Sequence, residues 1–299
     1  MSGEATARKK PDLTFYAERI GELPTLPSIV YELSRIISDP MSSTAEVQEV
    51  MEKDQSMTTK VLRLVNSAYY AIPGGVTQIS RAIAFLGFDT VNQLVLSSSI
   101  LNALQAKAPL HFDLQKFWIH ALGVGMAAET IAKITKQKVP ADLFTAGLVH
   151  DIGKVALCMI SPEDVNRVAE LAKSKSLTFI EAEYELGLPG HTTLGALIAK
   201  KWNLPLELQT CIEFHHDRDT VRRRGISQDP NRSVDTVFLA NVLVHALKFG
   251  NSGHEKIIGA PKVVLERLGI PQENVPALAA KIRESLNEAE NFLRIIQGS

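Results

Sequence analysis

Along almost the whole chain, apolar residues return every three or four positions, and no stretch alternates apolar and polar with period 2 over a convincing length. Ile29, Val30, Leu33, Ile36 and Ile37 make one such stripe, and Met57, Val61, Leu64 and Val65 another. Helix stops and starts punctuate the pattern. Asp39-Pro40 ends the first stripe, because the residue before proline avoids the helical region. Ser43 or Thr44 and then Asp54 are N-cap residues, Pro73-Gly74-Gly75 is a turn, and Gly87 stops a short helix that begins at Ile79. Asp89 caps a long apolar helix running from Val91 to about Leu104. Further helices are expected from Leu114 to Ile134, from Pro140 to His150, from Ser161-Pro162 onward, and from Thr178 to Leu186. His191 opens one ending at Trp202, Pro205 to His216 is another, and Val234 to Phe249 is an apolar one. Two more, around 262–268 and 274–294, close the chain. The fold class is all-α.

Composition narrows the setting. The 299 residues are 45% hydrophobic and 22% charged, enough for a sizeable core. A net charge of −1 gives no general attraction to nucleic acid or to an anionic membrane. Two cysteines, Cys158 and Cys211, have neither disulfide nor zinc-ligand spacing. The first twelve residues are polar and basic, unlike a signal peptide, and no run of about 18 apolar residues is apparent, so the cytoplasm is the expected location. A composition change near Ala106–Pro109 divides the chain into a flexible tail (1–12), an N-terminal helical subdomain (13–108), a second subdomain (109–255) and C-terminal helices (256–299).

The chemistry gathers around Leu143-Phe-Thr-Ala-Gly-Leu-Val-His150-Asp151-Ile-Gly153-Lys154. Histidine offers a neutral nitrogen and aspartate an anionic oxygen. On a helix the two would diverge by about 100° and fan across one face, an arrangement suited to a divalent ion or to two side by side. His120 shares a face with Val124, Ala127 and Ile131, and His191 with Leu194, Ile198 and Trp202, so both point inward. His215-His216-Asp217 stands at a helix end. A lone inward histidine is ordinarily a hydrogen-bonded core residue, but several of them with a His-Asp pair are better satisfied together by a metal.

The order His120, His150-Asp151, His191, His215-His216 resembles the HD superfamily of metal-dependent phosphohydrolases. His150-Asp151-Ile-Gly-Lys154 is similar to the form used by its HD-GYP branch. Leu23-Pro-Thr-Leu-Pro-Ser28, Asn66-Ser67-Ala-Tyr-Tyr70, Ile79-Ser-Arg-Ala-Ile-Ala-Phe-Leu-Gly87, His191-Thr-Thr-Leu-Gly-Ala-Leu197 and Trp202-Asn-Leu-Pro205 resemble the HDOD domain of bacterial signalling proteins, over roughly residues 20–250. The resemblance implies an HD-like helical core with an added N-terminal helical subdomain. It also implies metal ligands at His120, His150, Asp151, His191, His215 and His216, with Asn241 where the pattern has its last aspartate. Lys116 replaces a bridging glutamate, and Asp217-Arg218-Asp219 stands where Gly-Tyr-Pro would follow.

One or two divalent ions are expected, iron or manganese before zinc given the mixed ligands. Asp151 would bridge two ions and orient an attacking water. Lys154 either contacts a phosphate oxygen or is a solvated helix-end lysine. His245, four residues after Asn241, packs, meets solvent or replaces a ligand. His111 and His254 are assigned nothing, and Arg222-Arg223-Arg224 reads as a solvated loop. Three functions follow. One is a regulatory protein of signal transduction with a metal site, answering to a signalling protein or a phosphorylated small ligand. Another is an active phosphohydrolase of nucleotides or cyclic nucleotides. The third is a purely structural scaffold with an empty site.

Overall fold

The computed structural model describes residues 12–37, 39, 41–106, 111–223 and 225–297. The flexible tail expected at 1–12 (apart from Asp12), Pro40 and the boundary expected at 107–109 lie outside them. The described residues form helices and no strand. The first half contains α1 (Leu13–Glu22), α2 (Ser28–Ile37), α3 (Thr44–Glu52), α4 (Gln55–Val65) and α5 (Ile79–Ala103). The second contains α6 (Leu114–Ile134), α7 (Pro140–Val149), α8 (Ile152–Ile160), α9 (Pro162–Lys175), α10 (Phe179–Leu186), α11 (His191–Lys201), α12 (Leu206–Phe214) and α13 (Gln228–Ala246). After α14 (Lys262–Leu268) come α15 (Val275–Ser285) and α16 (Ala289–Gln297).

Caps and breakers account for most boundaries. Ser43 with Glu46 and Thr178 with Glu181 form capping boxes that start α3 and α10. Asp54 and Asp113 cap α4 and α6 through a backbone N–H three residues on. Gly87 interrupts α5 with φ 83° and ψ 164°, a conformation that a β-carbon would oppose, so the expected stop at that residue survives as a kink. Two expectations fail. The apolar helix placed at 234–249 begins six residues earlier, at Gln228, with Pro230 in its first turn where no amide is needed. The closing helix placed at 274–294 is broken by a 3-10 turn at Leu286–Glu288, where Leu286 is buried and the chain bends to lay α16 against α4, α5 and α6.

The core is continuous across both halves. Tyr16 of α1 donates from its hydroxyl to Asp164 at 2.9 Å, and the Trp202 indole N–H donates to the Pro24 carbonyl at 2.9 Å. Phe292 of α16 packs edge-on against Tyr69, ring centroids 5.7 Å apart, and against Phe144 at 5.6 Å. The Tyr69 hydroxyl donates to the Glu129 carboxylate. Against the expectation of no such run, Ile79–Ala103 and Pro140–Ile160 are apolar and long enough to span a bilayer by composition. Within the protein, 56% of the first window and 89% of the second are buried.

α7 crosses α6 at close range. A β-carbon on Gly147 would stand 2.7 Å from Gly125 Cα and 2.7 Å from the Val124 carbonyl oxygen. Asp142, in the first turn of α7, accepts from Gln93 Nε2 at 2.6 Å. Burial, with Glu207 and Asp89 nearby, pushes its carboxyl up from 3.8 to about 7. The folded pKa lies above the unfolded one, so this group's contribution to stability is complete below about pH 4 and is lost as pH rises through about 7. Asp142→Asn keeps an oxygen for Gln93 and removes the charge. Its melting temperature should exceed the parent's by roughly 3–6 °C at pH 8 and match it near pH 4, about 1–2 kcal/mol after allowing for solvent screening. Equal melting temperatures at pH 8 would contradict this.

Candidate metal centre

His150 and Asp151 do not lie on a helix face. They form the two-residue joint between α7 and α8, His150 as C-cap of the first (φ −52°, ψ −36°) and Asp151 as N-cap of the second (φ −101°, ψ 16°). The joint corrects the expected 100° fan. Leaving helical geometry turns the Asp151 side chain back toward His150, whose Nε2 is 3.2 Å from Asp151 Oδ2.

Asp151 is the hub. Its Oδ1 lies 3.1 Å from His191 Nε2 and 3.3 Å from His215 Nε2, and its Oδ2 lies 2.7 Å from Lys154 Nζ. His191 Nε2 is 3.1 Å from His216 Nε2 and 3.4 Å from His215 Nε2. His191 and His215 open and follow α11 and α12, which pack side by side, and α8 packs on α11. Ligand atoms that are distant in the chain meet at one point for that reason.

The outer hydrogen bonds fix which nitrogen carries the proton. His150 Nδ1 donates to the Gly147 carbonyl at 2.6 Å. His215 Nδ1 donates to the carbonyls of Ile212 at 3.0 Å and Cys211 at 3.2 Å. His191 Nδ1 donates to Glu183 Oε2 at 2.8 Å, and the same carboxylate accepts from the His191 backbone N–H. In the neutral rings the Nε2 lone pairs therefore face a carboxylate. His150 Nε2 and Asp151 Oδ1 are buried without a hydrogen bond.

Electrostatics reinforce this arrangement. Burial alone would raise the Asp151 carboxyl, but His150, Lys154 and His191 outweigh it and hold it well below the usual range. Burial opposes a charged His191, yet Glu183 and Asp151 push it up. Burial lowers His215 to about 4 and keeps His120 and His216 well below the ordinary imidazole value. Neutral imidazoles at His120, His215 and His216 beside an ionised Asp151 are the protonation state that divalent ions require of such ligands, whereas at His191 an ion would have to displace a proton.

Two sets of donors have ligand atoms within 4.8 Å of one another: Asp151, His191, His215 and His216, and then His120, His150 and Asp151. The Asp151 carboxylate belongs to both. Asn241 enters through His120, whose Nε2 donates to Asn241 Oδ1 at 2.9 Å, while His120 Nδ1 is buried without a partner. Lys116 lies one turn before His120 with its ammonium turned to solvent, 3.8 Å from Asp113 Oδ2.

Lys154 is not a solvated helix-end lysine: it is 1% exposed. Its ammonium donates to Asp151 and to the Ser252 carbonyl at 3.1 Å, and lies 4.9 Å from the Phe179 ring centroid. The arginine run is not all solvated either, and Arg224 lies outside the described residues. Arg223 is 1% exposed, donating from Nε to the Asp217 carbonyl at 3.0 Å and from Nη2 to Asp235 at 2.8 Å. Arg267 donates to both Asp235 oxygens, at 2.6 and 2.7 Å. This network ties the chain after His215-His216 to α13. His245 is half-buried, its ring 4.4 Å from His120 and 4.3 Å from His254. His254, assigned nothing from the sequence, stands beside the centre, while His111 is far out on the surface, paired with Glu170 at 3.0 Å.

Glu183 escaped the sequence reading altogether. It is one of three glutamates at alternate positions in α10, and only the fold shows that it, rather than Glu181 or Glu185, turns inward to His191. It positions a ligand rather than serving as one. Glu183→Gln should lower divalent-metal affinity by about 10–100-fold, read by chelator competition, with the fold retained by circular dichroism. Unchanged affinity would show that His191 needs no carboxylate to orient it.

The HDOD domain family's sequence model matches residues 23–218, about two thirds of the chain. The chain belongs to the HDOD domain family. An uncharacterised protein of Treponema pallidum (strain Nichols) is 27% identical over 275 residues, covering 92% of this chain and 51% of its own length, so the chain spans about half of that relative. Among solved structures, an HDOD domain protein of unknown function from Geobacter sulfurreducens superposes with a TM-score of 0.75 at 25% identity, covering 95% of this chain and 98% of that one. A proposed phosphohydrolase of Shewanella amazonensis SB2B gives 0.71 at 22% identity, covering 94% and 98%. At that identity the second likeness carries the fold alone.

Proposed function

We propose that this HDOD protein is a regulatory module of signal transduction, built on a divalent-metal centre at Asp151 and answering to a phosphorylated small ligand. The observation that carries the reading is the convergence of imidazole nitrogens on one buried carboxylate. The Nε2 atoms of His150, His191 and His215 stand 3.1–3.3 Å from the Asp151 carboxylate, and a cation among them would satisfy nitrogens and carboxylate together. The residues fit such an ion. Asp151, His191, His215 and His216 would hold it, with His120 and His150 completing a second position. Mixed imidazole and carboxylate donors favour iron or manganese over zinc. Bound there, a divalent ion supplies a Lewis acid for phosphoryl oxygens. Glu183 orients His191, and Lys154 balances the Asp151 charge from the side of Ser252. A net charge of −1 argues against nucleic acid as the partner.

A second reading is an active phosphohydrolase. It is favoured by the single Asp151 carboxylate shared between two donor sets, which would seat two ions side by side. Asn241 in place of an anionic ligand and the exposed Lys116 weigh against it. So does the narrow opening beside the centre, a cleft of about 30 Å³.

The readings separate in one experiment. Protein stripped with chelator and reloaded with manganese is titrated with inorganic phosphate by calorimetry and assayed on phosphomonoester and phosphodiester panels. Metal-dependent phosphate binding without turnover is the expected result. Turnover abolished by Asp151→Asn would establish the hydrolase, and loaded protein that takes no phosphate would overturn both.

A further inference from the structure

Away from the metal centre, a pocket of about 260 Å³ opens where α7, α12 and α13 begin. Val139 and Leu143 supply its apolar part, Glu207 lines it from α12, and Asp229 and Arg232 line it from α13. The turn between α6 and α7 adds Lys136 and Lys138. The three helices matter because of where they lead. α7 ends on His150, α12 ends on His215, and α13 carries Asn241 in its second half. They also pack on one another. α7 is 10 residues long, so the pocket stands about 15 Å from the metal centre, at the far ends of helices that deliver its ligands.

Two of the pocket's charges cancel, because Lys138 and Asp229 pair at 3.2 Å, both largely exposed. Three others do not pair among themselves. The Glu207 carboxylate accepts from the Ser233 hydroxyl and meets no cation among the described residues. Its charge reaches Asp142 in the first turn of α7 and helps to push that carboxyl up. The Arg232 guanidinium donates to the Thr135 carbonyl at 2.7 Å and has no carboxylate partner among the described residues. The Lys136 ammonium has no described partner at all. Two cations and one carboxylate, set around apolar side chains, are thus left without counter-charge. A matching ligand carries two carboxylates and one ammonium on a short carbon frame. A plain dicarboxylate would set its charge against Glu207 with nothing to offset it, and a plain amine would face Arg232 and Lys136. The volume lies just below the usual range for drug-sized ligands, which restricts the occupant to a small molecule.

We infer that this pocket is an effector site for an acidic amino acid, coupled to the metal centre through α7 and α12. Arg232 and Lys136 take the two carboxylates, Glu207 takes the ammonium, and Val139 and Leu143 lie along the methylene groups. The binding stands on this pocket alone, and only the coupling rests on the metal centre proposed above. A ligand held between Glu207 and Arg232 shifts the starts of α12 and α13 against α7, and His150 and His215 move with the other ends of α7 and α12.

Chelator-stripped protein should be titrated calorimetrically with L-glutamate, with glutarate, which lacks the ammonium, and with L-norvaline, which lacks the second carboxylate. Glutamate should bind at least about 10-fold more tightly than either. Glu207→Gln should weaken glutamate about 10-fold without weakening glutarate, so that the preference disappears. Lys136→Gln should weaken glutamate about 3-fold, and because Lys136 is exposed this variant tests the site even if Glu207→Gln folds poorly. Saturating manganese should change glutamate affinity by about 5-fold or more, and glutamate should change manganese affinity by the same factor. No binding of glutamate, glutarate or norvaline binding as tightly, or variants that bind glutamate as the parent does, would overturn the amino-acid site. Glutamate affinity that is identical with and without bound manganese would overturn the effector role. A parent that binds glutamate but takes up no manganese would contradict the metal centre, and the coupling with it, while the amino-acid site stands.

Discussion

Lys154→Met should destabilise chelator-treated protein by about 3–5 kcal/mol, because it leaves Asp151 as a buried carboxylate without its closest cation. Lys154 and Asp151 are each 1% exposed and 2.7 Å apart, so solvent cannot take over the missing partner. Two comparisons make the prediction specific to charge. Lys154→Met combined with Asp151→Asn removes both members and should lose less than the sum of the single changes. Metal-loaded Lys154→Met should also lose less than the stripped variant, since the ion balances Asp151 in place of the ammonium. Urea unfolding with and without chelator measures all of these. A loss below about 1 kcal/mol in stripped protein would mean that the pair is no more consequential than a surface ion pair.

Gly153→Ala should be the most damaging one-carbon change in the chain. α8 and α11 cross at Gly153 and Gly195, and a β-carbon at Gly153 would overlap the His191 carbonyl oxygen and stand 2.7 Å from the Gly195 amide nitrogen. The obstructing atoms are backbone, so no rotamer relieves the overlap and the two helices must part. Overpacking ordinarily costs about 1–3 kcal/mol, and rigid backbone contacts place this case at or beyond the upper end. Parting the helices draws His191 away from Asp151, now 3.1 Å apart, so metal affinity should fall by about 10-fold or more with stability. Gly21→Ala is the control. It lies in α1 with nothing within 4 Å of the added carbon, and helix propensity predicts a gain of about 0.5–1 kcal/mol. If Gly153→Ala unfolds at the parent's midpoint and keeps its metal, the crossing is not the constraint described.

The helices were legible wherever the signal is local. The helix Leu114–Ile134 and the start of α10 at Thr178 were read from periodicity and Gly87 breaks α5 as expected, while the Asp113 cap and the Thr178–Glu181 box supply the local reason for those starts. The centre was legible because histidine on an otherwise apolar stripe is rare, and because the order of those histidines resembles a family. What stayed hidden depends on partners remote in sequence. Arg223 looks like its neighbours until Asp235 on α13 and Arg267 on α14 close around it, whereas Arg222 remains 75% exposed in its side chain. Lys154 looks solvated until the Ser252 carbonyl, 98 residues away, receives it. His254 lies in a glycine-rich stretch with no periodicity, so nothing local marks it as part of the site. The His150-Asp151 pair was singled out, and the fold gathers it with the other histidines, but it was given the wrong backbone. An apolar run continuing to Ile160 conceals the two-residue joint that turns both side chains inward.

The most direct test is the metal content of protein purified without chelator or nickel resin, by elemental analysis, for the parent and Asp151→Asn. The account predicts one or two equivalents of iron or manganese in the parent. It predicts a loss of nearly all of it in the variant, with circular dichroism showing the helices retained. A parent protein that holds no divalent ion even after reloading with iron, manganese and zinc in turn would contradict it, because the nitrogens facing Asp151 would then have no cation to serve.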